Sequence, residues 1–214
     1  MPPKKQVIGV KWVYKTKCNA KGKIDRHNER LVVKGYKQQY GRDYDETYAP
    51  VERMETMHVV IEIAAQHKWK VYQMDVKSSF LNGVLKEEVY VEQPLGYKVA
   101  GEEHKVYKLK RTLYGLKKAP RAWYNRIDSY LMSNGFSKSD GEPTLYINAE
   151  NGNVLIFVLY VDDLIFTGND NFLIGEFKEA IKNEFEMIDL GLLKYFLGIE
   201  IKQMHDGIFI SQEQ

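Results

Sequence analysis

The chain has 214 residues, enough to bury a full core in one domain or in one domain with a lobed extension. Hydrophobic residues make up 44% and aromatic residues 13%, shares that fit a globular protein and exclude a disordered one. The single cysteine, Cys18, excludes an internal disulfide and a cysteine-based zinc site. The longest apolar run, Val154 to Val161, is far shorter than the ~20 residues that span a bilayer, and no apolar signal region begins the chain. We therefore expect a soluble intracellular protein without a membrane partner.

The net charge of +2 hides a strong asymmetry along the chain. Residues 1–42 carry a net charge of +10, residues 104–126 contain eight basic residues and no acidic one, and residues 140–214 carry a net charge of −10. This pattern suits a protein that binds a polyanion with one part and metal ions or a cation with the other. Solvated faces that happen to segregate would give the same pattern, and charge alone does not decide between the two.

The first predicted element is a basic hairpin. Residues 7–17 alternate between apolar and basic side chains, residues 19–22 supply a turn, and residues 24–36 form a second strand. Lysines and arginines would neutralise a phosphate backbone, while three aromatic residues could stack or pack: Trp12, Tyr14 and Tyr36. Lysines that protect an exposed sheet edge from pairing are the alternative, and it stays open here.

A helix is predicted next, followed by a strand that ends beside an acidic residue. Residues 54–68 have helical spacing, and the predicted core face holds Met57, Val60, Ile61, Ala64 and Ala65. Residues 69–76 alternate as a strand, and a short helical turn follows that closes at Gly83. Asp75 could project into a cleft from the end of this strand, or it could cap the turn at Ser78 and Ser79.

A second helix is predicted after two short strands in residues 88–110 and a loop at residues 93–103. It has Pro120 in its first turn, reaches about Asn134 and stops at Gly135, with an inward face of Trp123, Ile127, Tyr130 and Leu131. Lys117, Lys118 and Arg121 lie at its N-terminal end, where cations beside free backbone N–H groups suit an anion. A solvated basic end is the alternative.

The last third of the chain is predicted to contain a hairpin with two adjacent carboxylates. Residues 143–149 and 154–167 favour strands, and we expect residues 154–167 to turn at Asp162-Asp163. Such a turn could hold metal ions or be an ordinary turn. A helix is predicted over residues 172–185, with one buried stripe of Phe172, Phe177, Ile181 and Phe185. Strands are predicted after it, near residues 187–190, 195–201 and 207–210.

Eight segments occur in the order of one known family and cover nearly the whole chain, from Gly9 to Ile210. They read K-W-V-Y-K-T-K, R-L-V-V-K-G-Y, D-Y-D-E-T-Y-A-P-V, Q-M-D-V-K-S-S-F-L-N-G, E-E-V-Y-V-E-Q-P, L-Y-G-L-K-K-A-P-R-A-W, L-Y-V-D-D-L-I-F-T-G and Y-F-L-G-I-E-I. The chain resembles the reverse transcriptases of copia-type long-terminal-repeat retrotransposons. No single motif carries this match, which makes it highly specific.

The resemblance implies an α+β fold with the fingers and palm of a right-hand polymerase, the palm being an antiparallel sheet backed by helices. It assigns residues 1–72 and 84–118 to the fingers, with a palm-facing helix at 54–68. It assigns residues 73–83, which hold the first metal motif, and residues 119–214, which hold a primer-grip hairpin, to the palm. We expect thumb and RNase H domains to be absent, so that the chain is a fragment of a Pol polyprotein or a stand-alone remnant. The protease, integrase and RNase H are expected elsewhere.

The implied chemistry is template-directed transfer of deoxynucleotides to a primer 3′ hydroxyl with two Mg²⁺ ions, for which Mn²⁺ can substitute. Asp75, Asp162 and Asp163 match the catalytic metal ligands, and the backbone carbonyl of Val76 is a further candidate. The resemblance assigns six residues to the incoming nucleotide: Arg30, Lys34, Phe80, Tyr114, Gly115 and Lys117. Phe80 would stack under the sugar and exclude a 2′ hydroxyl. Four more match the primer and template region: Tyr160, Val161, Tyr195 and Gly198.

Four positions depart from the usual family residues, namely Asn28, His58, Ser79 and Lys118. An inactive, truncated remnant that binds nucleic acid without catalysis therefore stands beside the active polymerase as an alternative. A metal-dependent nuclease is weaker, because no histidine cluster accompanies the carboxylates. The expected partners are an RNA or DNA template with its primer, deoxynucleoside triphosphates and the rest of the polyprotein, in a cytoplasmic particle or the nucleus.

Overall fold

Three α-helices and fourteen strands form within the part of the chain that the structure describes. The structure is a computed structural model, and it describes residues 6–18 and 22–212. The helices are α1 (Met54–His67), α2 (Ala119–Ser133) and α3 (Asn171–Glu184). The strands are β1 (Val7–Ile8), β2 (Val10–Cys18), β3 (Ile24–Val33), β4 (Val71–Val76), β5 (Tyr90–Val91), β6 (Tyr107–Lys108), β7 (Ser137–Lys138), β8 (Leu145–Glu150), β9 (Asn153–Tyr160), β10 (Asp163–Gly168), β11 (Met187–Leu192), β12 (Tyr195–Phe196), β13 (Ile199–Gln203) and β14 (Ile208–Ser211). The chain is therefore a mixed α/β protein in which strands predominate.

The chain divides into two compact units. The first takes its described residues from Met1–Ala49 and Phe80–Arg126, and the second from Pro50–Ser79 and Ile127–Gln214. The sequence-based division places its boundaries after residues 72, 83 and 118 instead. The contacts thus group α1 with the second unit, whose core its apolar face helps to form.

The second unit is built on a six-stranded sheet with the order β11-β4-β10-β9-β8-β7. Every neighbouring pair in this sheet is antiparallel. Residue 165 of β10 pairs with residue 158 of β9, and residue 166 with residue 157, so consecutive residues face opposite sides. Ile165 and Val158 join the core that α1 completes, whereas Phe166 and Phe157 contact Phe177 of α3 on the other side. The sheet is therefore covered by a helix on each face.

The first unit contains the β2–β3 hairpin and a three-stranded sheet with the order β1-β5-β6. Its core joins β1, β3 and β5 to the segment before α2 through Ile8, Val33, Val89, Val91, Leu116 and Ala119. The close approach of this segment to β3 requires glycine. A Cβ at Gly115, whose φ is +89°, would lie 2.2 Å from the carbonyl oxygen of Val33.

The structure corrects several local expectations. The β3 strand ends at Val33, and a 3-10 turn over Gly35–Lys37 replaces its predicted last residues. The predicted strand at 195–201 is two strands, because Leu197 and Gly198 turn the chain with positive φ. In α3 the buried stripe contains Ile174 rather than Phe172, which is 71% exposed, because Ile174 lies one helical turn before Phe177. Ala65 of α1 is only partly buried.

None of the helices in the described ranges has the length and hydropathy needed to cross a lipid bilayer.

Candidate active site

The two adjacent aspartates lie at the tight turn between β9 and β10. The turn residues are Val161 and Asp162, while Asp163 is the first residue of β10 and pairs with Tyr160. The expected turn at Asp162-Asp163 is therefore wrong by one residue. Val161 has a φ of +53°, which a β-branched residue rarely adopts and which a two-residue hairpin turn demands. Strain of this kind is often found at functional sites.

Strand register brings Asp163 opposite Asp75. The two residues are direct partners in the antiparallel pair of β10 and β4, so their side chains project from the same face of the sheet. The backbone N–H of Val76 donates to the carbonyl oxygen of Asp162 at 2.9 Å and ties the turn to the end of β4. Two carboxylates that are 88 positions apart in the sequence thus share one face, with the third in the adjoining turn.

The Asp163 carboxylate is held by a side-chain hydrogen bond. Its Oδ1 accepts a hydrogen bond from Nε2 of Gln73 at 2.9 Å. Burial raises the pKa of Asp163 above its ordinary value; the Gln73 hydrogen bond opposes this rise, and the neighbouring charge of Asp162 adds to it. A cation beside this carboxylate would stabilise its charged form. Burial and the adjacent like charge therefore both make Asp163 harder to ionise.

The carboxylates fit Mg²⁺ as a shared site rather than as a complete protein cage. Within residues 6–18 and 22–212, no three His, Cys, Asp or Glu side chains come together to hold a metal ion. Mg²⁺ usually takes one or two carboxylates and completes its shell with substrate phosphates and water. Carboxylates paired across β4 and β10 suit that mode of binding. Val76 lies beside them with a buried side chain, and its carbonyl as a ligand stays a prediction.

The residues predicted to meet primer and template lie in the same unit. The Tyr160 ring contacts Phe196 of β12 edge-on, with 5.4 Å between ring centroids. Tyr195 is exposed, and its hydroxyl donates to Oε1 of Glu200 at 3.3 Å. Gly198 takes a φ of +81° in the turn between β12 and β13. The end of β9 therefore packs against the predicted primer-grip hairpin.

In the first unit, three of the six predicted nucleotide residues form one cluster. The Arg30 guanidinium lies over the Tyr114 ring, 4.7 Å from its centroid. The Phe80 ring contacts the same ring at 5.4 Å. The backbone N–H of Val33 donates to the Tyr114 carbonyl at 2.8 Å, which fixes Tyr114 against the end of β3. A cation and two aromatic rings are thus held side by side next to the close approach at Gly115.

The two predicted lysines are placed differently. Lys34 follows β3, and its side chain passes over Gly9, where an added Cβ would meet Lys34 Cδ at 3.1 Å and Glu92 Oε2 at 3.3 Å. Lys117 is held through its backbone N–H, which donates to Oε1 of Gln38 at 2.8 Å, and through Nζ, which donates to the Tyr44 hydroxyl at 3.0 Å. Its ammonium group also lies 4.9 Å from the centre of the Tyr44 ring. Among the described residues, Lys34 thus lies near Gly9 and Glu92, and Lys117 contacts Gln38 and Tyr44, not the rings of the Arg30 cluster.

The basic start of α2 is largely neutralised by acids of its own unit. Lys118 forms an ion pair with Glu87, and Arg121 forms one with Glu46 at 3.4 Å. Burial alone would raise the pKa of Glu87, but the hydrogen bond and charge of Lys118 hold it below its ordinary value. The predicted anion site at this helix start is therefore not an open cluster of cations.

The β2–β3 register sorts the hairpin into two faces. One face contains Lys11 and three pairs of direct partners: Val13 with Arg30, Lys15 with Asn28, and Lys17 with Arg26. This face holds five cations and no acid: Lys11, Lys15, Lys17, Arg26 and Arg30. We call it the cationic face of the hairpin. Trp12 lies on the opposite face, where its indole N–H donates to the Leu95 carbonyl at 3.1 Å and its ring contacts Tyr97 at 5.8 Å.

Comparison with known families decides what kind of protein this is. The family described as "Reverse transcriptase (RNA-dependent DNA polymerase)" matches residues 1–214, the whole chain. The chain belongs to this reverse transcriptase family. The resemblance predicted from the eight ordered motifs is thereby confirmed.

Transposon polyproteins are among the most similar relatives of this reverse transcriptase chain. It is 41% identical over 218 residues to the retrovirus-related Pol polyprotein from transposon TNT 1-94 of Nicotiana tabacum, covering 100% of this chain and 16% of that protein. It is 37% identical over 213 residues to the Pol polyprotein from transposon RE2 of Arabidopsis thaliana, covering 100% of this chain and 15% of that protein. The Ty1-H Gag-Pol polyprotein of Saccharomyces cerevisiae is 28% identical over 211 residues, which cover 92% of this chain and 11% of that protein. The chain spans about a sixth or less of these relatives.

Sequence reasoning missed two groups in this reverse transcriptase chain. Gln73 could have been found, because it lies two residues before Asp75 in an alternating strand and so shares its face. Glu52 and Glu142 had no such signal. Both are buried in the second unit, and both carboxylate oxygens of Glu52 lack a hydrogen-bond partner among the described residues.

Proposed function

We propose that this chain carries the polymerase centre of an RNA-directed DNA polymerase, with Asp75, Asp162 and Asp163 as its catalytic carboxylates. Membership of the reverse transcriptase family supports the reaction class. The observation that carries the assignment is the pairing of Asp163 with Asp75 across β10 and β4, next to the turn that is strained at Val161. An ordinary turn explains the two adjacent aspartates but not their register with a third.

In this proposal the second unit is the palm and the first unit is the fingers. The antiparallel sheet with a helix on each face, and the carboxylates at the ends of its interior strands β4 and β10, support the first assignment. The cationic face of the hairpin and the Arg30 cluster support the second. The hairpin of β12 and β13 would be the primer grip, since it packs against Tyr160 at the end of β9.

The carboxylates would hold two Mg²⁺ ions, or Mn²⁺ in their place. Bound there, the ions would lower the pKa of the primer 3′ hydroxyl and neutralise charge on the triphosphate. The sheet contributes by fixing Asp75 and Asp163 on one face before substrate arrives, which reduces the reorganisation that binding requires. Tyr160 and Val161 would flank the primer end, with Tyr195 and Gly198 in the grip.

The first unit would bind the nucleotide. Arg30 and Lys34 are assigned to the triphosphate, because guanidinium and ammonium groups bind phosphate oxygens. Phe80 is assigned to the sugar, where its ring, braced by Tyr114, would leave no room for a 2′ hydroxyl. Gly115 allows the backbone to approach closely, and Lys117 is held beside it by Gln38 and Tyr44.

We expect primer extension to depend on the carboxylates. With an RNA template, a DNA primer, deoxynucleotides and Mg²⁺, the chain should extend the primer, and Asp162→Asn and Asp75→Asn should each lower the rate by at least about 100-fold. Asp206→Asn is the matched control, because Asp206 is an exposed acid of the same unit in the turn before β14. Equal rates for the chain and Asp162→Asn would disprove the catalytic assignment.

The second candidate is nucleic-acid binding without catalysis. The cationic face of the hairpin favours this candidate, because lysines and arginines can neutralise phosphates without a metal ion. Salt-sensitive binding of primer–template without nucleotide incorporation would support this candidate. Incorporation that Asp162→Asn abolishes would exclude it.

The proposed partners follow from the family. They are a template with its primer, deoxynucleoside triphosphates, and the other domains of a Pol polyprotein, namely the protease, integrase and RNase H. A cytoplasmic particle or the nucleus is the proposed location.

A further inference from the structure

Gln73 lies on the same face of β4 as Asp75 and reaches the neighbouring strand. Its direct partner on β10 is Ile165, and Asp163 is the diagonal neighbour two residues away. Diagonal neighbours in an antiparallel pair are roughly 7–8 Å apart, a gap that a long side chain can cross. The Gln73 side chain crosses it and donates to Oδ1 of Asp163 at 2.9 Å.

We propose that Gln73 is a positioning residue that holds the Asp163 carboxylate toward the divalent cation. The inference rests on the proposed function, since it assumes that Asp163 is a metal ligand. A metal-binding carboxylate is often oriented by a hydrogen bond from a neighbouring group, and loss of that bond typically weakens metal affinity or activity. Gln73 is such a donor and belongs to the strand that carries Asp75.

The chemistry of the side chain suits this role better than the alternatives. An amide N–H donates without a positive charge, so it orients Asp163 and leaves the negative charge of the carboxylate for the cation. A lysine at this position would also donate, but it would compete with the metal ion for the same charge. An asparagine would be one methylene too short for the diagonal. The position therefore favours a long, neutral donor.

The hydrogen bond also distinguishes the two adjacent aspartates. Asp163 is held through its carboxylate, which accepts from Gln73, whereas Asp162 is held through its backbone carbonyl, which accepts from the Val76 N–H at 2.9 Å. Asp163 is thus oriented by the protein before the ion arrives. Removal of Gln73 should act on the pair through Asp163.

The test measures metal binding directly as well as activity. Mn²⁺ binding to the 214-residue chain with primer–template is followed by electron paramagnetic resonance, and the Mg²⁺ concentration for half-maximal primer extension is measured in parallel. Gln73→Leu, which keeps most of the side-chain volume, should weaken Mn²⁺ binding and raise the Mg²⁺ requirement by about 10-fold or more. Gln73→Lys should weaken both at least as much.

The matched control removes a different side-chain hydrogen bond from the same sheet. Thr167 of β10 is buried, and its Oγ1 donates to the Lys70 carbonyl at 3.0 Å. Thr167→Val should lower the melting temperature without changing the Mn²⁺ affinity. Folding of each variant is checked by its melting temperature, so loss of structure and loss of positioning are separated.

A double-mutant cycle completes the test. In the Asp163→Ala background, Gln73→Leu should cause no further loss of Mn²⁺ affinity, because its partner is already gone. If Gln73→Leu folds and binds Mn²⁺ like the unmodified chain, the inference about Gln73 is overturned while the proposed function stands. If the unmodified chain neither binds Mn²⁺ through Asp162 nor extends a primer, the proposed function is overturned, and the role of Gln73 with it.

Discussion

At the scale of single residues, several side chains that depart from the family pattern are accommodated locally. Lys118 forms an ion pair with Glu87. Ser79 is buried, and His58 is exposed on α1. Asn28 lies opposite Lys15 on the cationic face, where a neutral residue removes one charge and leaves five. None of these four departures removes a carboxylate from the proposed centre.

The buried Glu52 should make the stability of the second unit depend on pH. Glu52 is 8% exposed, and burial, with a smaller contribution from the charge of Glu142, raises its pKa to about 8. Between pH 4.5 and 8 the folded state therefore binds more protons than the unfolded state, and the free energy of unfolding falls as the pH rises. Glu52→Gln should remove this fall and stabilise the protein at pH 8 by about 3–5 kcal/mol.

Urea unfolding at a series of pH values measures this effect. Glu62→Gln is the control, because Glu62 is exposed on α1, and its substitution should leave the slope unchanged. A Glu52→Gln variant with the same pH dependence as the original chain would show that Glu52 is ionised when folded.

At the scale of elements, helices were predicted more accurately than turns. The apolar spacing of residues 54–68 predicted α1 to within one residue at its end, because a 3.6-residue period depends only on local sequence. The joint between β9 and β10 was misplaced by one residue, since the positive φ of Val161 is imposed by the pairing of Tyr160 with Asp163. The close approach of Gly115 to Val33 likewise depends on a contact between distant parts of the chain.

Two glycine substitutions should have opposite effects on stability. Gly115→Ala should destabilise the first unit by more than about 2 kcal/mol, because the new Cβ would lie 2.2 Å from a backbone oxygen at a φ of +89°.

Gly175→Ala in the interior of α3 should stabilise the protein by about 1 kcal/mol, since nothing lies within 4 Å of its Cβ position. Denaturant unfolding of both variants measures the difference, and a stable Gly115→Ala protein would contradict the contact.

At the scale of the whole molecule, the charge asymmetry of the sequence becomes a property of surfaces. The basic N-terminal residues are gathered on the cationic face of the hairpin, whereas many basic residues elsewhere are paired with acids, as in Lys118 with Glu87 and Lys178 with Asp189. The charge pattern could reflect either a polyanion-binding surface or solvated faces that happen to segregate. The cationic face of the first unit supports the polyanion-binding surface. The acidic second unit carries the proposed metal carboxylates.

The salt dependence of primer–template binding should report on the cationic face. Replacing Lys15 and Lys17 by alanine should reduce the slope of log affinity against log salt by between about 1.4 and 1.8, if each lysine contacts one phosphate. Lys182→Ala with Lys70→Ala is the control of equal charge change in the second unit, away from the proposed primer grip. Fluorescence anisotropy at several salt concentrations measures the slopes, and equal slopes for the two double variants would argue against the hairpin as a nucleic-acid contact.

The sequence by itself determined the family, the three helices and the candidate carboxylates, because these depend on local periodicity and on motifs read in order. Only the tertiary structure decided which residues face one another: Asp163 opposite Asp75, Gln73 bonded to Asp163, and Arg30 stacked on Tyr114. Strand register selects these partners, and register is set by packing between segments far apart in the chain. The charge pattern followed the same rule, since five cations of the hairpin reached one face only through the pairing of β2 with β3.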